Sequence, residues 1–175
     1  MAYADFLSEI KTYLNIAADN TDYDNILSIL LESAGAMLEN YLGRDLLSGT
    51  HSQVLYKEGE LMTPNVSTIT SVKDEDENDI DYEYSVDGAF TFIKLTNYDT
   101  YGYVEYEAGY NTSNFPADLK MALFKLTAVD FFGSNFQFNS EILSASVVGE
   151  NSYSFKDVDK LKILNSVSTW RNYDR

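Results

Sequence analysis

Apolar residues recur at helical spacing in the first 42 positions of the chain. Within residues 3–14 the intervals between four apolar residues are four, three and one, which places them on one face of a helix: Phe6, Ile10, Tyr13 and Leu14. A longer apolar stripe predicts a second helix over residues 23–42, about 30 Å long at about 1.5 Å per residue. Asp22 can cap its start, and Gly43 can take the left-handed position that commonly ends a helix. The chain is therefore predicted to begin with a helical pair.

The spacing changes in the middle of the chain, where short runs are rich in β-branched and aromatic residues. Strands are predicted for residues 54–56, 66–72, 80–84, 90–95 and 101–106. In the last run Tyr101, Tyr103 and Glu105 alternate with Val104 and Tyr106, which is typical of an antiparallel strand with one face toward water. Asp87-Gly88 is a predicted hairpin turn, and Tyr101-Gly102 is a second predicted turn.

Helical spacing returns at Pro116. Proline suits the first position of a helix because its missing N–H costs nothing there, and Asp118 lies near the positive end of the helix dipole. Residues 133–140 are predicted to form a loop and residues 145–155 an extended arm. A last helix is predicted from about residue 157, with an apolar face formed by Val158, Leu161, Leu164 and Val167.

This order of elements predicts an α+β fold. It is a mainly helical fold with two N-terminal helices, a central antiparallel β region and two C-terminal helices. A chain of 175 residues, 45% of them apolar, is long enough for one well-buried core and short for two. We therefore predict a single domain over residues 1–175, in which residues 156–175 form the C-terminal helix and tail.

The composition narrows the classes of function. With 28 acidic against 12 basic side chains the formal charge is −16, so the surface should repel nucleic acid and anionic membranes. The chain has no cysteine, which excludes disulfides and thiolate chemistry. Neither a signal peptide nor a membrane-spanning run is recognisable, so a soluble protein is expected. Fourteen tyrosines and ten phenylalanines exceed what one small core needs, which favours self-association.

Candidate catalytic residues are sparse. His51 is the only histidine, so any Ser-His-Asp arrangement would have to use it, and no G-x-S-x-G elbow is present. The phosphate-binding patterns G-x-x-x-x-G-K-[ST] and G-x-G-x-x-G are also absent. The sequence therefore predicts no enzyme activity and no cofactor.

An acidic stretch beginning at Asp74 carries eight carboxylates within 14 residues. Asp74, Asp76 and Asn78 occupy ligand positions one, three and five of a calcium loop. However, Asp79 replaces the glycine of position six, and Ser85 replaces the bidentate glutamate of position twelve. A solvated hairpin tip is therefore favoured over a calcium site.

Three stretches stand out by their order and spacing. They are the helical pair with Tyr13-Leu14-Asn15-Ile16 and Leu38-Glu39-Asn40-Tyr41-Leu42-Gly43-Arg44, the run Val104-Glu105-Tyr106-Glu107-Ala108-Gly109-Tyr110 followed by Phe115-Pro116-Ala117-Asp118-Leu119-Lys120-Met121-Ala122, and the arm at Val147-Val148-Gly149 with the terminal Trp170-Arg171. Together they resemble the head-tail connector (adaptor or head completion) family of tailed bacteriophages.

The resemblance implies a structural virion protein located in the neck at the head-tail interface, and in the host cytoplasm during assembly. Its implied partners are further copies of itself in a ring, for which the family's symmetry suggests a dodecamer, together with the portal protein and the next neck or tail-completion protein. The ring would extend the channel through which genomic DNA passes without specific binding. No membrane partner is implied.

Within such a ring the acidic stretch acquires a function. Repeated around the axis, its carboxylates would line the channel and keep DNA from sticking to the wall, an effect limited to about 8 Å by salt. The predicted channel-lining residues are Asp74, Glu75, Asp76, Glu77, Asp79 and Asp81. The alternative is a hairpin tip that is simply solvated.

The C-terminus is predicted to dock on a partner. Residues 156–175 carry five basic and three acidic side chains, whereas residues 1–155 carry seven and 25. A basic tail on an acidic body suits a head-to-tail contact with a neighbour or with the portal. The predicted partner-binding residues are Lys160, Lys162, Trp170, Arg171 and Tyr173 in the tail, together with Tyr110 at the connection between the last strand and the third helix. The alternatives are lysines that merely favour their own helix dipole, a tryptophan that packs on its own domain, and a tyrosine that only forms part of the strand-to-helix connection.

Two other classes of function stay open at this stage. The tyrosine-rich strands are compatible with a free-standing β-rich binding or adhesion module, although helices at both ends and the basic tail argue against it. A hydrolase using His51 is the weakest alternative.

Overall fold

The computed structural model describes residues 2–96, 101–133 and 160–171, with helices at both ends of the chain and strands between them. The predicted α+β class is confirmed. Residues group into a helical unit, drawn from residues 2–41 and 116–170, and a sheet unit, residues 42–115 with Arg171. The prediction of a single domain stays a prediction. Among the described residues, no helix is both long and apolar enough to span a bilayer.

The predicted helical pair is present in the helical unit. A 3-10 turn, Tyr3–Phe6, runs into α1 (Leu7–Tyr13), and α2 spans Asp24–Leu42. Gly43 follows α2 with a φ of 67°, the predicted left-handed position. The placement of Tyr13 on the apolar face of the first helix was wrong, because its side chain is 42% exposed at the end of α1.

Gly35 lets the start of the chain lie directly on α2. A Cβ at Gly35 would come within 2.1 Å of the Tyr3 ring, so only glycine permits this approach. The Tyr3 hydroxyl donates to Glu39 Oε1 at 2.9 Å, and the backbone N–H of Ala4 donates to Glu32 Oε1 at 2.8 Å. These contacts fix the otherwise loose amino terminus.

The third helix, α3, spans Ala117–Gly133. Pro116 precedes it and accepts the first helical hydrogen bond from Lys120 N–H at 2.9 Å, so the helix starts one residue later than predicted. The buried residues of α3 lie around most of its circumference, as in a helix enclosed by its neighbours. They are Leu119, Ala122, Leu123, Phe124, Leu126, Thr127, Ala128 and Phe131.

The last described elements are α4 (Lys160–Asn165) and a 3-10 turn, Ser168–Trp170. Leu164 and Val167 are buried as expected from the predicted apolar face. The placement of Leu161 on that face was wrong: it is 55% exposed, and Ile163 is buried instead. Residues 134–140 of the predicted loop and the whole predicted arm lie outside the described residues.

The described residues of the sheet unit form two three-stranded antiparallel sheets. The strands are β1 (Gly49–Tyr56), β2 (Glu58–Glu60), β3 (Thr68–Lys73), β4 (Tyr82–Asp87), β5 (Phe90–Leu95) and β6 (Tyr101–Ala108). The first sheet has the order β1-β6-β3 and the second has the order β2-β5-β4. Their core consists of Leu55, Leu61, Val72, Ile93, Leu95, Val104, Tyr106 and Ala108.

The two glycine turns predicted in this region have different outcomes. Gly88, with a φ of 60°, follows Asp87 in the tight turn that joins β4 to β5, as predicted. The prediction of a turn at Tyr101-Gly102 was wrong, because Gly102 lies inside β6 opposite Leu55. A Cβ there would come within 2.8 Å of Leu95, so this glycine serves close packing.

Candidate assembly surfaces

The acidic turn, residues 74–79, links β3 to the segment that leads into β4. Asp74 N–H donates to the Asn78 carbonyl at 2.9 Å, and Ile80 N–H donates to the Val72 carbonyl at 2.9 Å. Glu77 takes a φ of 64° within the turn. The sequence of this stretch thus forms a defined turn, in place of an open calcium loop.

Asp74 is the residue that organises the acidic turn. Its Oδ1 accepts the backbone N–H groups of Asp76 at 2.9 Å and Asn78 at 2.8 Å, while Oδ2 accepts the Asn78 side-chain amide at 3.1 Å. The pKa of the Asp74 carboxyl lies below its ordinary value. The main cause is the hydrogen bond from the Asn78 backbone, followed by the hydrogen bond from the Asn78 side chain. The structure therefore gives the first predicted channel-lining residue a second role, as the cap of its own turn.

The remaining predicted channel-lining residues point into solvent. Glu75, Asp76, Glu77, Asp79 and Asp81 are all exposed. The structure brings five of the six predicted residues together in one turn, with Asp81 just beyond it. Their assignment to the wall of a channel stays a prediction.

The outer face of the first sheet carries a surface that the sequence had not singled out as a site. We call Val54, Tyr56, Tyr101 and Tyr103 the tyrosine patch; their exposed fractions lie between 45% and 53%. Val54 lies opposite Tyr103, and Tyr56 lies opposite Tyr101 with ring centroids 5.0 Å apart. The alternation in β6 and the excess of tyrosine were the signals that could have located it.

The predicted partner-binding residues of the C-terminus make contacts within the helical unit. Trp170 Nε1 donates to Asp118 Oδ2 at 2.8 Å, and Lys160 Nζ lies 2.5 Å from Asp130 Oδ1. Lys162 and Arg171 are exposed, and Tyr173 lies outside the described residues. The docking role of these side chains stays a prediction, and Trp170 also packs on its own unit.

Tyr110 is built into the sheet unit. Its side chain is 6% exposed and meets Phe115 edge to face with centroids 6.0 Å apart. Its backbone N–H donates to Leu46 at 2.8 Å, and its carbonyl accepts from Ser48 at 2.9 Å. Its predicted partner contact is untested, and within one subunit the side chain serves the core.

His51 has no catalytic geometry with its neighbouring serine. The His51 ring stacks on Tyr106 at a centroid distance of 5.7 Å, with Nδ1 3.8 Å from Asp45 Oδ2. Ser52 follows directly in β1, so its side chain points to the opposite face of the sheet. This arrangement gives the hydrolase alternative no support.

Solved structures with a similar fold come from gene transfer agent (GTA) particles. The neck of an empty GTA particle with C6 symmetry matches with a TM-score of 0.65 and 17% identity, covering 97% of this chain and 90% of that chain. The virion of a native GTA particle gives 0.63 and 16%, covering 100% and 94%. The neck of a native GTA particle with C12 symmetry gives 0.59 and 18%, covering 98% and 91%. At these identities the likeness establishes the fold.

The family comparison agrees with the resemblance found in the sequence. No curated protein sequence matches the chain. The family model of head completion proteins, by contrast, matches residues 6–153, which is most of the chain. The resemblance is therefore confirmed, and it argues against the two alternative functions, a free-standing adhesion module and a hydrolase. The chain belongs to the head completion protein family, whose members are structural parts of the virion and not enzymes.

Proposed function

We propose that this protein is the ring-forming connector of a virion neck, which docks on the portal, extends the DNA channel and joins the capsid to the tail. Its membership of the head completion family over residues 6–153 carries the proposal. The whole-length fold likeness to neck proteins of GTA particles supports it, because an isolated motif would not extend over 97% to 100% of the chain.

The ring is supported by the symmetry of those particles. The similar chains lie in necks with C6 and C12 symmetry. A subunit of the same fold, with an aromatic patch on its outer sheet face, has surface available for contacts with copies of itself. A ring of twelve copies is the expected assembly.

The acidic turn supports the channel part of the proposal. Its exposed carboxylates form a compact negative tip on each subunit, and a ring would repeat that tip around the axis. DNA phosphates are repelled by such a rim, so the genome can pass without adhering. Because salt screens charges over about 8 Å, the effect requires the turn to face the channel directly.

Electron cryomicroscopy of portal rings mixed with the purified chain tests this proposal. We expect an added ring on the tail side of the portal, with the acidic turn facing the axis and the tail residues from Trp170 onward at the portal contact. A ring with the turn on its outer rim would contradict the channel assignment alone. Portal rings without an added layer would contradict the docking function.

A further inference from the structure

A groove lies between one edge strand of each sheet. β3 is an edge strand of the first sheet, and β4 is an edge strand of the second. The groove between them has a volume of about 420 Å³. Its main apolar lining consists of Val66, Ile69, Tyr82, Tyr84 and Val86.

The β4 side of this groove is an uncovered part of the core face. Directly paired residues of antiparallel strands point to the same side of a sheet. Tyr84 pairs with Ile93, and Val86 pairs with Thr91; both β5 residues are buried. Yet Tyr84 is 63% exposed and Val86 is 62% exposed. The apolar face of the second sheet thus continues from β5, which the core covers, onto β4, which it leaves exposed.

The backbone of β4 also presents an open edge. Thr96 N–H donates to the Asp81 carbonyl at 3.0 Å, which makes these two residues a hydrogen-bonded pair. Hydrogen-bonded and non-hydrogen-bonded pairs alternate along an antiparallel ladder. The N–H and C=O groups of Tyr82, Tyr84 and Val86 are therefore directed away from β5. In the part of the chain that the structure describes, no strand pairs with β4 on that side.

The charge of this edge restricts what can bind it. Asp81, Glu83 and Asp87 point to the opposite face from the groove, and residues 74–87 contain no lysine or arginine. Lys94 lies across from Glu83, but the residues across from Asp81 and Asp87 are Thr96 and Phe90. A second copy of β4 would place carboxylate against carboxylate, which disfavours pairing between identical edges.

We propose that the β4 edge binds an extended segment of a partner protein in which apolar and basic residues alternate. Such a segment adds a fourth strand to the second sheet: its apolar side chains fill the groove, and its basic side chains meet Asp81, Glu83 and Asp87 on the other face. The outward backbone groups of β4 supply the hydrogen bonds. This inference concerns one subunit and stands whether or not the protein forms a ring on the portal.

Binding of synthetic peptides to the full-length chain tests the inference. The probe is a fluorescent eight-residue peptide of four valine-lysine repeats, followed by fluorescence anisotropy. One control peptide has glutamate in place of lysine, and a second carries the four valines and four lysines in separate blocks. We expect the alternating basic peptide to bind at least tenfold more tightly than either control. Equal binding of the alternating and block peptides would mean charge attraction alone and would overturn the proposal, as would absence of binding.

Substitutions in β4 test whether the peptide binds in the groove. Tyr84→Ser removes apolar groove surface, and Val86→Pro removes an outward N–H at an edge where proline is tolerated. We expect each to weaken binding at least tenfold while circular dichroism stays unchanged. Ile29→Ser, which alters a side chain 56% exposed in the helical unit, is the matched control and should bind as the wild type does. If Val86→Pro disturbs the fold, Tyr84→Ser decides; unaltered binding by Tyr84→Ser would exclude the groove.

Discussion

The helical unit and the sheet unit are of similar described length but treat their apolar side chains differently. Among its described residues, the helical unit leaves four large apolar side chains exposed, and they are scattered over four elements or their ends: Tyr13, Ile29, Met121 and Leu161. The described part of the sheet unit exposes seven, which lie on its strands: Val54, Tyr56, Tyr84, Val86, Phe92, Tyr101 and Tyr103. Clustered apolar surface of this kind marks interaction sites. The sheet unit therefore offers partners a surface in addition to the tail at Trp170.

The two units also differ in how their charged side chains are arranged. Among the described residues, the helical unit contains the ion pairs Lys11–Asp24, Lys120–Glu9 and Lys160–Asp130. The sheet unit concentrates its acids in the turn and along β4, where residues 74–87 offer no basic side chain. The turn and β4 of the sheet unit thus form a continuous surface of one sign, which is suited to recognition and repulsion.

The largest effect is expected at Arg44, a buried arginine of the sheet unit. Arg44 is 3% exposed, its Nη2 lies 2.6 Å from Glu60 Oε1, and its guanidinium lies 4.5 Å above the Phe90 ring. Arg44→Met leaves the Glu60 carboxylate without its counter-charge and should lower the free energy of unfolding by about 3–5 kcal/mol. Urea denaturation measures the loss. The double variant with Glu60→Met should recover part of it, and a loss under about 1 kcal/mol in the single variant would show that the unit does not depend on this pair.

A glycine pair separates backbone strain from steric clash within the sheet unit. Gly88 has a φ of 60° with open space around it, whereas Gly109 has a φ of 94° and a Cβ there would lie 2.3 Å from the Leu47 carbonyl oxygen. Gly88→Ala should cost about 1–2 kcal/mol, the penalty of the left-handed conformation alone. Gly109→Ala should cost at least twice as much, because the backbone must also shift. Equal melting temperatures for the two variants would contradict the close approach at Gly109.

Trp170 tests whether the helical unit also has a docking role. Trp170→Phe keeps an aromatic surface but loses the hydrogen bond to Asp118, so stability should fall by about 1 kcal/mol with portal docking retained. Trp170→Ala should also weaken portal binding by about 2 kcal/mol, the effect of removing an interface anchor. Thermal melts and pull-downs on portal rings measure the two quantities. Normal docking by Trp170→Ala would restrict partner binding to the sheet unit.

The smallest effects are expected in the acidic turn. Changing Asp74, Glu75, Asp76, Glu77 and Asp79 to their amides should leave the melting temperature nearly unchanged, since exposed repelling carboxylates add little stability and an asparagine at position 74 still offers an acceptor oxygen. A fall of many degrees would reveal a structural ion site.

Lowering the pH tests the capping role of Asp74 separately. The folded-state pKa of Asp74 is lowered, so its contribution is present at neutral pH and is lost as pH falls below about 3.9, the ordinary aspartate value. The protection factor of the Asn78 amide, which removes the pH dependence of intrinsic exchange, should therefore fall in acid in the wild type and stay constant in Asp74→Asn. A protection factor that does not change with pH in the wild type would contradict the capping role.

Local sequence signals were sufficient for much of the fold. The helical spacing predicted α2 to within one residue, and the residues of β5 were predicted in full. Alternation in β6 predicted which side chains face water. These features depend on the order of apolar and polar residues along a single element, which the sequence contains directly.

The features that were missed depend on contacts distant in sequence. β2 has the sequence Glu-Gly-Glu and becomes a strand only by pairing with β5. Gly102 was taken for a turn because its packing against Leu95 is not visible in the sequence. The open edge of β4 follows from the strand order, and that order is set by pairings such as Gly49 with Ala108, 59 residues apart. The cap at Asp74 required the geometry of the folded turn.

The most direct test of ring assembly on the portal is the mass of the complex. The purified chain, 19.8 kDa, is measured by mass photometry alone, across a concentration series, and after mixing with portal rings. We expect the portal to gain a mass equal to a whole ring of subunits, twelve copies for the expected dodecamer, and the neutralised acidic-turn variant to add the same mass. A monomer in isolation is compatible with assembly on a template. A chain that stays monomeric at high concentration and adds no mass to portal rings would contradict the connector function.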